Sequence, residues 1–307
     1  MRRARHARRA RFNGIAMATA ATFALAALSC GTSPRQELAS RDGGVLPGTF
    51  ADAGIMAADG ATSGGDPRCP KETQYVFVID ADGVLYRFDP PSASFTSVGP
   101  IKCSGAVYSM AIDRNAFAWV LQVTGALVKV DTRDASCKPT AFLPNQQGFS
   151  VNFGMGFSTD AIGGTDEKLF VSDAIFPSLA TIDTSTLTLT KVGPYDKLKA
   201  RAELTGTGDA RLFGAFEGSP YSVAQIDKAS AKLISQAPQS SINYDPGSSN
   251  FAFAFWGGVF YLFVGPGTST DVFKYDPADS TTKLVASVPQ RIVGAGVSTC
   301  APTTAPK

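Results

Sequence analysis

Histidine is almost missing from this chain of 307 residues; the single one is His6. Tryptophan occurs twice, and charged residues make up 18% of the total, below the roughly 25% of ordinary soluble domains. Once the first residues are removed by export, no histidine remains. That excludes a Ser-His-Asp or Cys-His nucleophile system and a His-ligated zinc site. Only five cysteines are present, too few for a small disulfide scaffold of this length. What the chain has instead is Gly (30), Pro (19) and Phe (21), with Ser, Thr and Val favouring strands over helices.

The six arginines of residues 1–12 meet no acid, and the Ala-rich run 14–28 that follows is uncharged. That run falls short of the about 20 apolar residues a permanent membrane span needs. A basic start, a short apolar core and small residues at its exit describe a secretory signal over residues 1–29. The Ala27-Leu28-Ser29-Cys30 end resembles the bacterial lipobox, which implies that Cys30 is lipidated and becomes the new N-terminus. Gly31 after that cysteine implies the outer membrane. The pair Arg8-Arg9 hints at twin-arginine export, without the rest of that motif.

Removing residues 1–29 leaves 22 basic against 26 acidic side chains, a net charge of about −4. Nucleic-acid binding, which relies on clustered positive charge, loses its compositional support. Residues 30–68 are rich in Gly, Ala, Ser and Asp and lack strand or helix periodicity, so they read as a flexible linker. Residues 301–307 read as a disordered tail.

Between Cys69 and Cys300 the chain repeats. Five apolar strands end on an aspartate, at Asp89, Asp131, Asp183, Asp227 and Asp276. Each is preceded by a second strand and followed by a polar turn and a third. A fourth strand closes each unit with small residues at one parity: Ser109/Ala111, Gly154/Gly156, Gly206/Gly208, Ala252/Ala254 and Gly294/Gly296. Side chains alternate faces along a strand, so one face of each of these strands is bare and suits the crowded centre of a ring. Four strands per period, five times over, predict an all-β, five-bladed β-propeller of four-stranded blades. The first unit lacks its inner strand and the last has a spare one, so the C-terminal strand is expected to complete the first blade. Cys69 and Cys300 flank that closure and are expected to pair, leaving Cys103 with Cys137. Four cysteines allow three pairings, and an exported location permits the bonds.

With this strand pattern, residues 69–300 resemble the bacterial lipoprotein β-propellers with weak Kelch- or YVTN-like repeats. The likeness is architectural, since no Trp-Asp, Gly-His or double-glycine signature recurs.

The repeated aspartates lie too far apart for a calcium cage, which needs six to eight oxygens together. They read as turn residues accepting backbone N–H bonds, so neither a metal nor a cofactor is expected. A five-bladed ring also resembles glycosidases that place carboxylates at the channel mouth. Here Glu203 stands alone on the inner strands, with Asp80, Asp82, Asp173 and Glu217 able to approach. Loops on one face carry Phe149, Phe176, Tyr195, Tyr221 and Tyr244; loops on a rigid scaffold commonly bind, and the equal alternative is that these fold back to plug the channel or cover blade edges. The leading expectation is therefore a non-enzymatic, lipid-anchored envelope protein whose loop face binds a protein or glycan. A carboxylate-dependent glycosidase and a purely structural spacer are the alternatives.

Overall fold

The computed structural model describes residues 68–306 apart from Ser248. The expected leader, Cys30 and the linker up to residue 67 lie outside the described residues. In chain order the strands are β1 (Val76–Asp80), β2 (Val84–Asp89), β3 (Ser94–Pro100), β4 (Val107–Ile112), β5 (Phe117–Gln122), β6 (Leu127–Asp131) and β7 (Cys137–Pro139). They continue with β8 (Phe153–Thr159), β9 (Glu167–Asp173), β10 (Ser178–Ile182), β11 (Leu189–Pro194), β12 (Ala202–Gly206), β13 (Leu212–Phe216) and β14 (Ser222–Ile226). The last are β15 (Leu233–Pro238), β16 (Asn250–Trp256), β17 (Val259–Gly265), β18 (Thr270–Asp276), β19 (Thr281–Val288) and β20 (Ile292–Val297).

These form five four-stranded antiparallel sheets. Blade 1 is β20-β1-β2-β3; blades 2 to 5 take β4–β7, β8–β11, β12–β15 and β16–β19. The C-terminal strand does complete the first blade, with Val76 opposite Val297 and Ile79 opposite Gly294. The inner strands touch in turn, β20 with β4, β4 with β8, β8 with β12, β12 with β16, and β16 with β20. The ring is closed.

Apolar residues of facing sheets fill each seam between blades. Phe77, Ile79 and Leu85 meet Met110, Val120 and Val128 between blades 1 and 2. Phe253, Phe255 and Phe260 meet Phe213 and Val223 between blades 4 and 5. Where the inner strands come closest, a side chain does not fit. A Cβ on Gly154 would lie 2.0 Å from the Ala202 carbonyl oxygen, and one on Gly206 2.1 Å from that of Phe157. The small-residue parity in the sequence is thus the imprint of backbone approaching backbone.

The repeated aspartates act in turns. Asp183 Oδ1 accepts the Ser185 and Thr186 amides, Asp227 Oδ1 those of Ala229 and Ser230, and Asp276 Oδ1 that of Ala278. Four residues after each repeated aspartate stands one with positive φ: Ala93, Ala135, Leu187, Ala231 and Ser280.

Two disulfides are present, Cys69–Cys300 and Cys103–Cys137. The first spans 231 residues and joins the two ends of the ring. Disulfides persist in oxidising compartments, so the folded part is that of an exported or extracellular protein. No helix among the described residues is long and apolar enough to cross a membrane.

The segment after Cys300 differs from the free tail expected of it. Ala301 packs against the apolar seam of blades 5 and 1, and the Gly257 amide donates to the Pro302 carbonyl at 2.8 Å. Gly257 and Gly258 turn the β16–β17 hairpin with φ of 64° and 88°, and residues 303–306 lie alongside that turn.

Candidate functional site

Every strand has its two ends on opposite rims of the ring. Inner strands start, and second strands end, on the rim that carries the loops singled out in the sequence. On this rim Arg201, immediately before β12, sits across from Glu217, immediately after β13, and the Glu217 amide donates to the Arg201 carbonyl. Arg201 Nε donates to Glu217 Oε2 at 2.8 Å, and the Tyr244 hydroxyl donates to the same oxygen at 2.8 Å. The guanidinium also reaches the Tyr108 and Tyr244 hydroxyls at 3.3 and 3.4 Å and lies 5.0 Å from the Phe251 ring centroid. Burial, together with the bond to Glu217, raises the Tyr244 phenol well above its usual range. The charges and phenols of the mouth satisfy one another.

Beneath them Glu203 is buried and accepts the Ser109 hydroxyl at 2.6 Å. Burial pushes its carboxyl up to about 8. Glycoside hydrolysis needs two carboxyl groups flanking a bond from which substrate can approach. Glu203 is shut away, and Glu217 already holds Arg201 and Tyr244. Asp80 accepts the Asp82 and Val84 amides and the Tyr86 hydroxyl. Glu203, Glu217 and Asp80 are thus each engaged by the protein's own donors. Among the described residues no group of three or more His, Cys, Asp or Glu side chains is placed to hold a metal ion.

Four of the five expected binding aromatics turn inward. Phe149 fills the seam between blades 2 and 3 beside Phe153, and Tyr195 meets Phe216 edge-on at 5.0 Å. Tyr221 and Tyr244 pack together at 5.2 Å and both abut Phe251. All four are buried, which corrects the expectation that they are displayed for binding and agrees with the alternative that these loops cover blade edges. The physical cause is that these loops fold back over the blade seams. The loop after the three-residue strand β7 runs along blade 3, where the Gln146 and Gln147 side chains donate through Nε2 to the Leu187 and Leu189 carbonyls.

Phe176 is the exception. It is 66% exposed, and its neighbour Ile175 is 65% exposed. Both stand on the β9–β10 loop, which the buried carboxylate of Asp173 holds in place. Asp173 Oδ1 accepts the Ile175 and Phe176 amides at 2.8 and 3.0 Å, and Oδ2 accepts the Ser150 amide at 2.8 Å. Beside Phe176 a groove of about 380 Å³ is lined by Pro177, Leu179, Pro194, Lys191 and Lys199. Lys199 donates to the Tyr195 carbonyl.

The opposite rim holds features not foreseen from the sequence. Glu167, at the start of β9, accepts the Arg114 amide at 2.7 Å and the Thr299 hydroxyl at 2.6 Å. It ties blade 3 to blade 2 and to the closure, and burial raises its carboxyl to about 7. No local pattern links three residues so distant in sequence.

No protein-family model and no curated protein matches the chain. Among solved structures it is similar to a chain of a nidogen/laminin complex, at 14% identity and a TM-score of 0.47, covering 72% of this chain and 97% of that one. It is also similar to a chain of the hydrazine synthase of Kuenenia stuttgartiensis, at 14% identity and a TM-score of 0.40, over 68% and 64% of the two chains. A chain of a mitotic checkpoint complex is similar at 10% identity and a TM-score of 0.42, over 90% and 93%.

Proposed function

We propose that this chain is an exported, lipid-tethered, non-enzymatic propeller that binds a protein partner through the tip of blade 3. The observation that carries the reading is the pair Ile175 and Phe176, two adjacent large apolar side chains left in water by a loop that Asp173 fixes from beneath. A loop held in one conformation loses little entropy when it docks, and an exposed aromatic on such a loop is suited to anchor an interface. Apolar tips favour a protein over a glycan. Lys191 and Lys199 in the adjoining groove favour a partner that sets acidic residues beside an apolar anchor. Lipidation at Cys30, implied by the lipobox-like segment, supplies the tether, and the outer membrane is the expected location.

The test is selection of a displayed peptide library on the purified chain. The reading expects enriched peptides to share a bulky apolar residue next to Asp or Glu. It expects their binding to weaken at least about ten-fold in Phe176→Ala. Selected peptides that bind Phe176→Ala and Ile175→Ser as tightly as the wild type would overturn the choice of surface.

A further inference from the structure

On the rim opposite Phe176, blades 2 and 3 part to leave a cleft of about 470 Å³, within the range of about 300–1,000 Å³ typical of small-molecule sites. Its walls are the β4–β5 turn (Asp113, Arg114, Asn115), the segment Thr165–Glu167, and Thr184 and Ser185 of the β10–β11 turn, with Trp119 and Lys129 at the back. We propose that this cleft binds a neutral, hydroxyl-rich ligand, namely a short oligosaccharide.

Three observations carry this. First, the charges in the back wall compensate one another. The Lys129 ammonium lies 3.2 Å from Asp113 Oδ2, which also accepts the Trp119 indole N–H, and rests 4.5 and 5.1 Å from the Phe117 and Trp119 ring centroids. The other charges of the lining, Arg114 against Asp166 and Glu167, are also of both signs, so the cleft presents no field of one sign to select a strong anion or a strong cation. Second, the rim of the cleft is rich in hydrogen-bonding capacity not spent on the protein. The side chains of Asn115, Thr165, Asp166 and Thr184 line it, and none has a hydrogen-bond partner among the described residues. Amide, carboxylate and hydroxyl groups together both donate and accept, as sugar hydroxyls do. Third, the turns on two sides of the cleft are held by their own backbone bonds. Asp113 Oδ1 accepts the Asn115 and Phe117 amides at 2.9 Å, and Asp183 Oδ1 accepts those of Ser185 and Thr186 at 2.8 and 2.9 Å. Loops already fixed in one conformation lose little entropy when a ligand docks against them.

The cleft carries its own reporter. Trp119 and Trp256 are the only tryptophans, so in Trp256→Phe all indole emission comes from the cleft wall. That protein is titrated at millimolar concentrations with maltotriose, cellotriose, chitotriose and xylotriose. At least one is expected to give a saturable change in emission. The response should weaken at least about ten-fold when Asn115→Ala and Asp166→Ala are added, with the circular dichroism spectrum and melting unchanged. Phe176→Ala should leave it intact, which separates this site from the blade-3 tip. Three outcomes overturn the proposal: no saturable change in emission and no saturation-transfer signal with any of the four sugars, an undiminished response in the doubly substituted protein, or a response confined to inorganic phosphate.

Discussion

Ser109 and Glu203, 94 residues apart, meet inside the ring, with the serine hydroxyl donating to Glu203 Oε2 at 2.6 Å. Their strands, β4 and β12, belong to blades that are not neighbours. The contact therefore reaches past blade 3. Burial raises that carboxyl from 4.5 to about 8. Between those values the folded chain retains a proton that the unfolded chain has released. The stabilisation is complete below about 4.5 and is lost as pH rises through about 8, by at most about 1.4 kcal/mol per pH unit. Glu167, raised to about 7, acts in the same direction. In Glu203→Gln the decline in Tm between pH 5 and 8 should be shallower than in the wild type. Parallel curves in differential scanning fluorimetry would remove Glu203 as the cause.

The two disulfides should not be equal. In the chain-entropy model a bond closing 231 residues contributes about 5 kcal/mol and one closing 34 residues about 4 kcal/mol, before strain. The former also joins the first blade to its completing strand. Cys69→Ser with Cys300→Ser is expected to lower the urea midpoint more than Cys103→Ser with Cys137→Ser. The reverse order, measured by intrinsic fluorescence, would show that the seam is held by strand pairing alone.

Gly154→Ala tests the close approach of blades 3 and 4. The added methyl would meet the Ala202 carbonyl oxygen at 2.0 Å, so the strands must part, at a cost on the order of 1–3 kcal/mol or more. Gly193→Ala, whose Cβ would meet nothing closer than 3.7 Å, is the control and should change the urea midpoint little. Equal midpoints for the two variants would contradict the packing described.

The architecture was legible because it repeats as local chemistry. Strands ending on Asp89, Asp131, Asp183, Asp227 and Asp276 mark the period, and the parity of Gly154/Gly156 and Gly294/Gly296 marks the inner edges. Closure was legible from a missing strand at one end and a spare one at the other. The fate of the aromatics was not. Tyr195 is buried by Phe216 and Tyr221 by Phe251, partners that lie in other segments of a folded ring. In sequence these tyrosines sit among Gly, Pro and Ser exactly as exposed ones do. Arg201 and Glu217 carry no mark of their pairing in the sequence, because they become neighbours only when β12 and β13 align. The turn residues at positive φ were hidden as well, since alanine, leucine and serine stand where glycine would have signalled the bend.

Cys30→Ser addresses the proposed tether. Expressed with its own leader in a bacterial host, the wild type should incorporate radiolabelled palmitate and sediment with membranes. The variant should lose the label and appear in the soluble fraction. Label retained by the variant would exclude Cys30 as the lipidated residue.

Cys69 and Cys300 share one rim of the ring, and Phe176 stands on the other. Were the proposed tether to pull on the chain ahead of Cys69, the force would enter at the rim that the Cys69–Cys300 bond locks, and the Ile175–Phe176 tip on the other rim would stay clear of it.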